Sequence, residues 1–184
     1  MAIITGSSAG EKILGSSVAD VIDAGGGIDV VQAGDGDDTV YGGANRDRLV
    51  GGAGNDYLDG EGSNDKLYGG EGDDTLVGGG QNDRLYGGDG NDIINGGDDD
   101  DVLYGDNADD ANDAEGYADI FLFDSSDGND KVFDFEHGID TVHLTSGGTY
   151  SLTYTGSGNT VMTYGATTVT FYDEILDASD IMVL

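Results

Sequence analysis

The chain has 184 residues, enough for one domain or one domain with a small appendage, and its six Lys and Arg stand against 38 Asp and Glu for a formal net charge of −32. That excess excludes nucleic acid and anionic membrane as partners, since both would be repelled, and the lack of cysteine excludes disulfides, zinc–thiolate sites and thiol nucleophiles. Regularly spaced apolar residues, 36% of the chain, set it apart from a disordered acidic tail, and the counterion that suits clustered carboxylates and carbonyls is a hard divalent cation, calcium before others.

The N-terminal MAIITGSSAGEK lacks the basic region and long apolar stretch of a signal peptide. No apolar run approaches the length of a membrane span. From Gly6 a nine-residue block then repeats in unbroken register to Tyr104, as in GGAGNDYLD from Gly51 and GGEGDDTLV from Gly69. Position six is acidic in every block, from Glu11 and Asp20 onward to Asp101, and position eight is always aliphatic, from Ile13 to Leu103. Glycines at positions one, two and four permit positive φ and close backbone approach, so the first six residues make a tight turn that gathers carbonyls around the position-six carboxylate. Positions seven to nine make a short strand with position eight inward and its neighbours outward. Two blocks close one turn of a flattened right-handed helix, giving an all-β, parallel β-roll of two parallel sheets with 18 residues per turn, stacked about 4.8 Å apart. One buried aliphatic per block is a thin core, so bound cations are expected to supply much of the stability. Without them the chain is expected to be disordered.

This block resembles the nonapeptide G-G-x-G-x-D-x-U-x of the RTX (repeats-in-toxin) hemolysin-type calcium-binding repeat proteins. The resemblance covers residues 6–104 and continues through YADIFLFDSSDGNDKVFDFEHGIDTVHL, Tyr117 to Leu144, which is similar to the segment closing the repeat domain of serralysin-type secreted proteases. That stretch holds two degenerate blocks, around Asp127–Asp130 and Gly138–Asp140. The resemblance implies several calcium ions held between turns by turn carbonyls and the position-six Asp. Carried over to matching blocks, the metal-binding residues are Gly25, Gly27 and Asp29; Gly34, Gly36 and Asp38; Gly42, Gly43 and Asp47; Gly51, Gly52, Gly54 and Asp56; and Gly60 and Asp65. They continue with Gly69, Gly70, Gly72 and Asp74; Gly78, Gly79 and Asp83; Gly87, Gly88, Gly90 and Asp92; and Gly96, Gly97 and Asp101.

Blocks on the same side of the roll lie 18 residues apart, and the two sides differ. One has Gly36, Gly54, Gly72 and Gly90 at position four; the other has Gly27, Asn45, Ser63, Gln81 and Asp99, together with Arg46, Arg48, Lys66 and Arg84. Either position four tolerates substitution and every site fills, or the second side has weaker sites with basic groups offsetting carboxylate charge. Outward positions there place Arg48, Lys66 and Arg84 beside Tyr68, Tyr86 and Tyr104. Such a ladder suits an anionic, alginate-like polysaccharide, and it equally suits tyrosines that favour strands and stack across them.

Residues 105–116, GDNADDANDAEG, break the pattern and read as an acidic, solvated loop closing a repeat domain of residues 1–116. A C-terminal capping region of residues 117–184 follows, in which Ile120–Phe123, Val132, Phe133 and Phe135 supply the bulk to close the open end of the roll. From Thr149, TYSLTYTG, NTVMTYG and TTVTFYD read as antiparallel strands. The chain ends DASDIMVL, and an acidic residue before a short apolar terminus resembles the uncleaved signal of type I secretion substrates. The resemblance implies export from a Gram-negative cell by that machinery.

No catalytic constellation emerges. There is no H-E-x-x-H, and His137 and His143 lie in the strand-rich closing segment at a spacing unsuited to zinc. TGSGN reads as a hairpin turn and lacks the strand-to-helix context of a nucleophile elbow. The expectation is a non-enzymatic module, either a calcium-dependent folding and export scaffold or a binding module for polysaccharide or cell surface.

Overall fold

The computed structural model describes residues 1–106 and 116–184, and its regular elements are all strands. In chain order they open with β1 (Ile3–Thr5), β2 (Lys12–Leu14), β3 (Val21–Asp23), β4 (Val30–Asp35), β5 (Thr39–Tyr41) and β6 (Arg48–Ala53). The roll continues with β7 (Tyr57–Asp59), β8 (Lys66–Glu71), β9 (Thr75–Gly80), β10 (Arg84–Asp89), β11 (Ile93–Asp98) and β12 (Val102–Tyr104). The closing region holds β13 (Ile120–Phe123), β14 (Asn129–Phe133), β15 (Thr141–Leu144), β16 (Tyr150–Tyr154), β17 (Thr160–Tyr164), β18 (Thr167–Phe171) and β19 (Ile181–Val183).

Successive strands alternate between two sheets. The first runs β1-β3-β5-β7-β9-β11-β13-β15-β19. The second runs β2-β4-β6-β8-β10-β12-β14-β18-β17-β16, with only its last two steps antiparallel. This is the expected parallel β-roll, with strand partners 18 residues apart in the repeats, as in Leu49↔Leu67 and Leu67↔Leu85. The two-residue alternation puts positions six, eight and one inside and positions seven and nine outside. Each sheet thus contributes one column of fully buried aliphatics, Leu49, Leu67, Leu85 and Leu103 on one and Leu58, Leu76 and Ile94 on the other.

The block pattern does not stop at Tyr104. Gly105 still stands at position one, because a methyl group there would lie 2.2 Å from Asp119 Oδ2, as one at Gly87 would from Asp92 Oδ2. The Asp92 N–H donates to Asp119 Oδ1 across 27 residues where its predecessor Asp74 reaches Asp92 across 18. The acidic segment is therefore an insertion inside one turn; the reading of 107–115 as solvated surface falls outside the described residues. Beyond it, Ile94 pairs with Phe121 and Leu103 with Val132, so the aliphatic columns pass to larger side chains. Phe121, Phe123, Phe135 and Phe171 are buried there, with Phe135 5.8 Å from Phe121 and edge-on to Phe171 at 5.2 Å.

Candidate metal-binding turns

Turns that lead into the first sheet form side one of the roll, and those that lead into the second form side two. On both, each position-six Asp is almost fully buried and uses Oδ1 to accept the N–H of the position-six residue one turn earlier. Side one has Asp38→Asp56 at 2.8 Å and Asp56→Asp74 at 2.7 Å; side two has Asp47→Asp65 at 2.6 Å and Asp65→Asp83 at 2.7 Å. The other oxygen, Oδ2, is buried without a hydrogen-bond partner at Asp29, Asp38, Asp47, Asp56, Asp65, Asp74, Asp83, Asp92, Asp101 and Asp130. A buried carboxylate oxygen without a partner is costly, and a row of them at one-turn spacing needs a counter-cation.

The glycines keep that oxygen company with carbonyls. A methyl group at Gly51 would meet Asp56 Oδ2 at 2.2 Å and the Gly69 carbonyl oxygen at 2.7 Å, and one at Gly69 would meet Asp74 Oδ2 at 2.2 Å and the Gly87 carbonyl at 2.5 Å. In these turns glycine at position one leaves carboxylate and carbonyl oxygens converging on the same small space. Hard oxygen donors of this kind suit calcium, and the residues present fit it.

Burial raises the carboxyls. Desolvation pushes Asp47 and Asp56 up to about 6, Asp65 and Asp74 to about 7, and Asp83 and Asp92 to about 8, opposed by the backbone N–H each accepts and reinforced by neighbouring aspartates. Asp20 is lowered instead, by its bond from the Ala2 N–H and then by the Ser16 hydroxyl.

Position four takes positive φ on both sides, but not the same one. On side one Gly36, Gly54, Gly72 and Gly90 lie at 107–137°, a region closed to side chains, whereas Asn45, Ser63, Gln81 and Asp99 on side two lie at 73–92°. Inter-turn bonds from the position-four N–H are 2.6–2.8 Å at Gly36, Gly54 and Gly72, against 3.2 Å at Gly27 and 3.1 Å at Ser63. Side one also carries a ladder that the sequence reading passed over. Asp37 accepts the Asn55 N–H at 3.0 Å, Asn55 that of Asp73 at 3.3 Å, and Asp73 that of Asn91 at 2.9 Å, all at position five. Its signal was the Asp/Asn alternation every 18 residues.

Along side two runs a groove of about 1070 Å³ lined by Arg46, Arg48, Lys66, Arg84 and Lys131, five of the six basic residues, with Asn45, Asn64, Asn82 and Asn129 between them. Tyr68, Tyr86, Tyr104, Phe133 and Tyr172 stack face to face beside it, with centroids 4.5–5.0 Å apart. The Arg48 guanidinium covers the exposed end of that stack, 4.6 Å from the Tyr68 ring. The rings thus cover one another's faces and present their edges outward.

The histidines sit apart from any such cluster. His137 Nδ1 lies 2.9 Å from buried Asp180 Oδ2, which raises the imidazole, and His143 reaches only Thr141 Oγ1 at 3.4 Å. Among the described residues, no group of His, Cys, Asp and Glu side chains alone has a metal-holding arrangement. A metal must therefore draw on backbone carbonyls.

The sequence profile of the RTX calcium-binding nonapeptide repeat (4 copies) matches residues 14–49, 41–76 and 77–111, just over half of the chain. No curated protein sequence matches. Among solved structures, the extracellular lipase LipA from Serratia marcescens is similar at 17% identity and a TM-score of 0.38, over 99% of this chain and 40% of the lipase. The AlgE6R3 subunit of the Azotobacter vinelandii mannuronan C5-epimerase is similar at 19% identity and a TM-score of 0.29, over 96% of this chain and 80% of that subunit. The chain spans well under half the length of the lipase.

Proposed function

Because the chain belongs to the RTX calcium-binding nonapeptide repeat family, we propose that it is the calcium-folded scaffold of an exported protein, without chemistry of its own, whose ions lie in the turns between successive position-six aspartates. The observation that carries this reading is the row of partnerless Asp Oδ2 atoms on both sides of the roll. The carbonyls that face it come from the glycine-rich turns, among them those of Gly69, Gly87 and Gly105 on side one and Gly60, Gly78 and Gly96 on side two. Export by a type I system is supported by the C-terminal DASDIMVL. Its calcium requirement keeps the chain unfolded where calcium is scarce and folds it outside, where millimolar calcium suits weak sites of this type.

The two sides are expected to bind unequally. Ser63 and Gln81 hold left-handed turns at a cost of roughly 1–2 kcal/mol each, and the side-two cations disfavour a further positive ion nearby. Asp56→Ala or Asp74→Ala should therefore raise the calcium concentration at half-folding more than Asp65→Ala or Asp83→Ala, measured by circular dichroism. Equal shifts on the two sides would mean that position four is neutral to the ions.

A second reading, binding of an anionic, alginate-like polysaccharide, is favoured by the gathering of Arg46, Arg48, Lys66, Arg84 and Lys131 along one groove of a chain with net charge −32. With the tyrosine faces covered by one another, recognition would rest on the cations and the Asn amides, so it should weaken with salt. Retention on an immobilised uronic-acid polymer in calcium buffer should be lost when Arg48, Lys66 and Arg84 are together replaced by Ala. Retention unchanged by that replacement or by salt counts against the groove.

A further inference from the structure

The position-six carboxylate is left open in most turns and is closed in a few by the backbone N–H four residues before it. In the central turns position two has positive φ, as at Gly52 (128°) and Gly70 (127°), and the position-six Oδ2 of Asp56 and Asp74 is partnerless. At Ser7, Ser16 and Glu136 position two lacks positive φ and its N–H points at the acid instead, whereas at Ser126, also without positive φ, Asp130 Oδ2 stays partnerless. Ser7 N–H donates to Glu11 Oε2 at 2.8 Å and Glu136 N–H to Asp140 Oδ2 at 2.8 Å. Ser16 donates twice to Asp20 Oδ2, from its N–H at 2.9 Å and its hydroxyl at 2.7 Å. Residue type alone does not explain this. Glu61 is a non-glycine at position two in the middle of the roll, yet it holds φ 66°, and Asp65 Oδ2 four residues later is partnerless like its neighbours.

We infer that a turn takes an ion only where its carboxylate is left open: where the position-two N–H closes the second carboxylate oxygen, as at Glu11, Asp20 and Asp140, the turn holds no calcium. This rests on the calcium reading above. It follows from the donor inventory, since a carboxylate oxygen that already accepts one or two short hydrogen bonds has less to offer a cation and its donors point into the space the cation needs. At the last turn Asp180 is closed similarly, by the Asp177 N–H at 2.7 Å and by His137. Ser16 is then a positioning residue that stands in for an ion at its turn.

The test is the number of calcium ions bound per chain at saturation, by equilibrium dialysis and native mass spectrometry, for the whole chain and single variants. Asp56→Asn should lower the count and Asp20→Asn should leave it unchanged, because the outermost turn stacks on a single neighbour and its loss leaves the other turns in place. A lower count for Asp20→Asn overturns the inference. If the parent chain binds no calcium, or Asp56→Asn leaves the count intact, it is the calcium reading itself that fails. Should Asp20→Asn fold poorly, Ser16→Ala decides: the count should stay constant while Tm at saturating calcium falls, and a lower count or an unchanged Tm overturns the role given to Ser16.

Discussion

Transfer from millimolar calcium to a chelator at about pH 7.5 is expected to abolish the strand signal in far-ultraviolet circular dichroism, with cooperative recovery when calcium is restored and poor recovery with magnesium. The physical reason lies in the buried aspartates. Carboxyls that ionise near 4 in an unfolded chain are pushed by burial to about 6 at Asp56 and about 8 at Asp92. Between those values the folded chain holds more protons than the unfolded one, so in calcium-free buffer its stability is present below the ordinary carboxyl value and is lost as pH rises through 6 to 8. Calcium replaces those protons with a charge that stays bound at neutral pH. Magnesium is a poor replacement because it demands a smaller octahedral shell and sheds water reluctantly. Lowering calcium-free samples to about pH 4.5 should accordingly restore part of the strand signal that calcium restores at about pH 7.5. A spectrum indifferent to chelator at about pH 7.5 would show that the roll stands without its ions.

Truncation after Tyr104 is the other change with a large expected effect. It removes β13 to β19, and with them Phe121, Phe123, Phe135 and Phe171, the largest buried rings in the molecule besides Tyr164. It also exposes Ile94 and Leu103, whose inward partners Phe121 and Val132 are lost, and leaves β11 and β12 as open strand edges. In a stack where each turn contacts only its neighbours, the end with the most apolar area is where folding starts most easily. The shortened chain should need several-fold more calcium to fold, or fold without cooperativity, as read from calcium titrations of both chains side by side. Identical midpoints would mean that the repeats nucleate themselves.

Much of this was legible in the sequence because the repeat is one-dimensional. A nine-residue period with an acid at position six and an aliphatic at position eight fixes strand, turn, register and inward face together, and Asp29 to Asp101 occupy the expected column. Less was legible where local rules give no warning. The insertion inside a turn hid Asp119, because its column partner Asp92 lies 27 residues away in place of 18. The closure of Asp20 by Ser16 rests on where one backbone N–H points, which residue type does not fix: Glu61 and Ser126 at the same position leave Asp65 and Asp130 open. The groove of side two was largely visible as Arg46, Arg48, Lys66 and Arg84; Lys131 joins it only because β14 stacks on β12 beyond the insertion. The tyrosine column was visible too, but the choice between open faces and closed stack depends on ring planes within 4–13° of parallel.

That closed stack has an optical consequence. Rings held parallel at 4.5–5.0 Å in one line, from Tyr68 to Tyr172, bring their electronic transitions into register, so their near-ultraviolet signal belongs to the row and not to separate chromophores. Each ring comes from a different rung, Phe133 from β14 and Tyr172 from the residue just after β18, both in the closing region. The molecule thus carries a built-in gauge of its own length, in which the strength of exciton coupling counts how many consecutive rungs stand assembled at a given moment, without a label and without disturbing the turns where the ions sit.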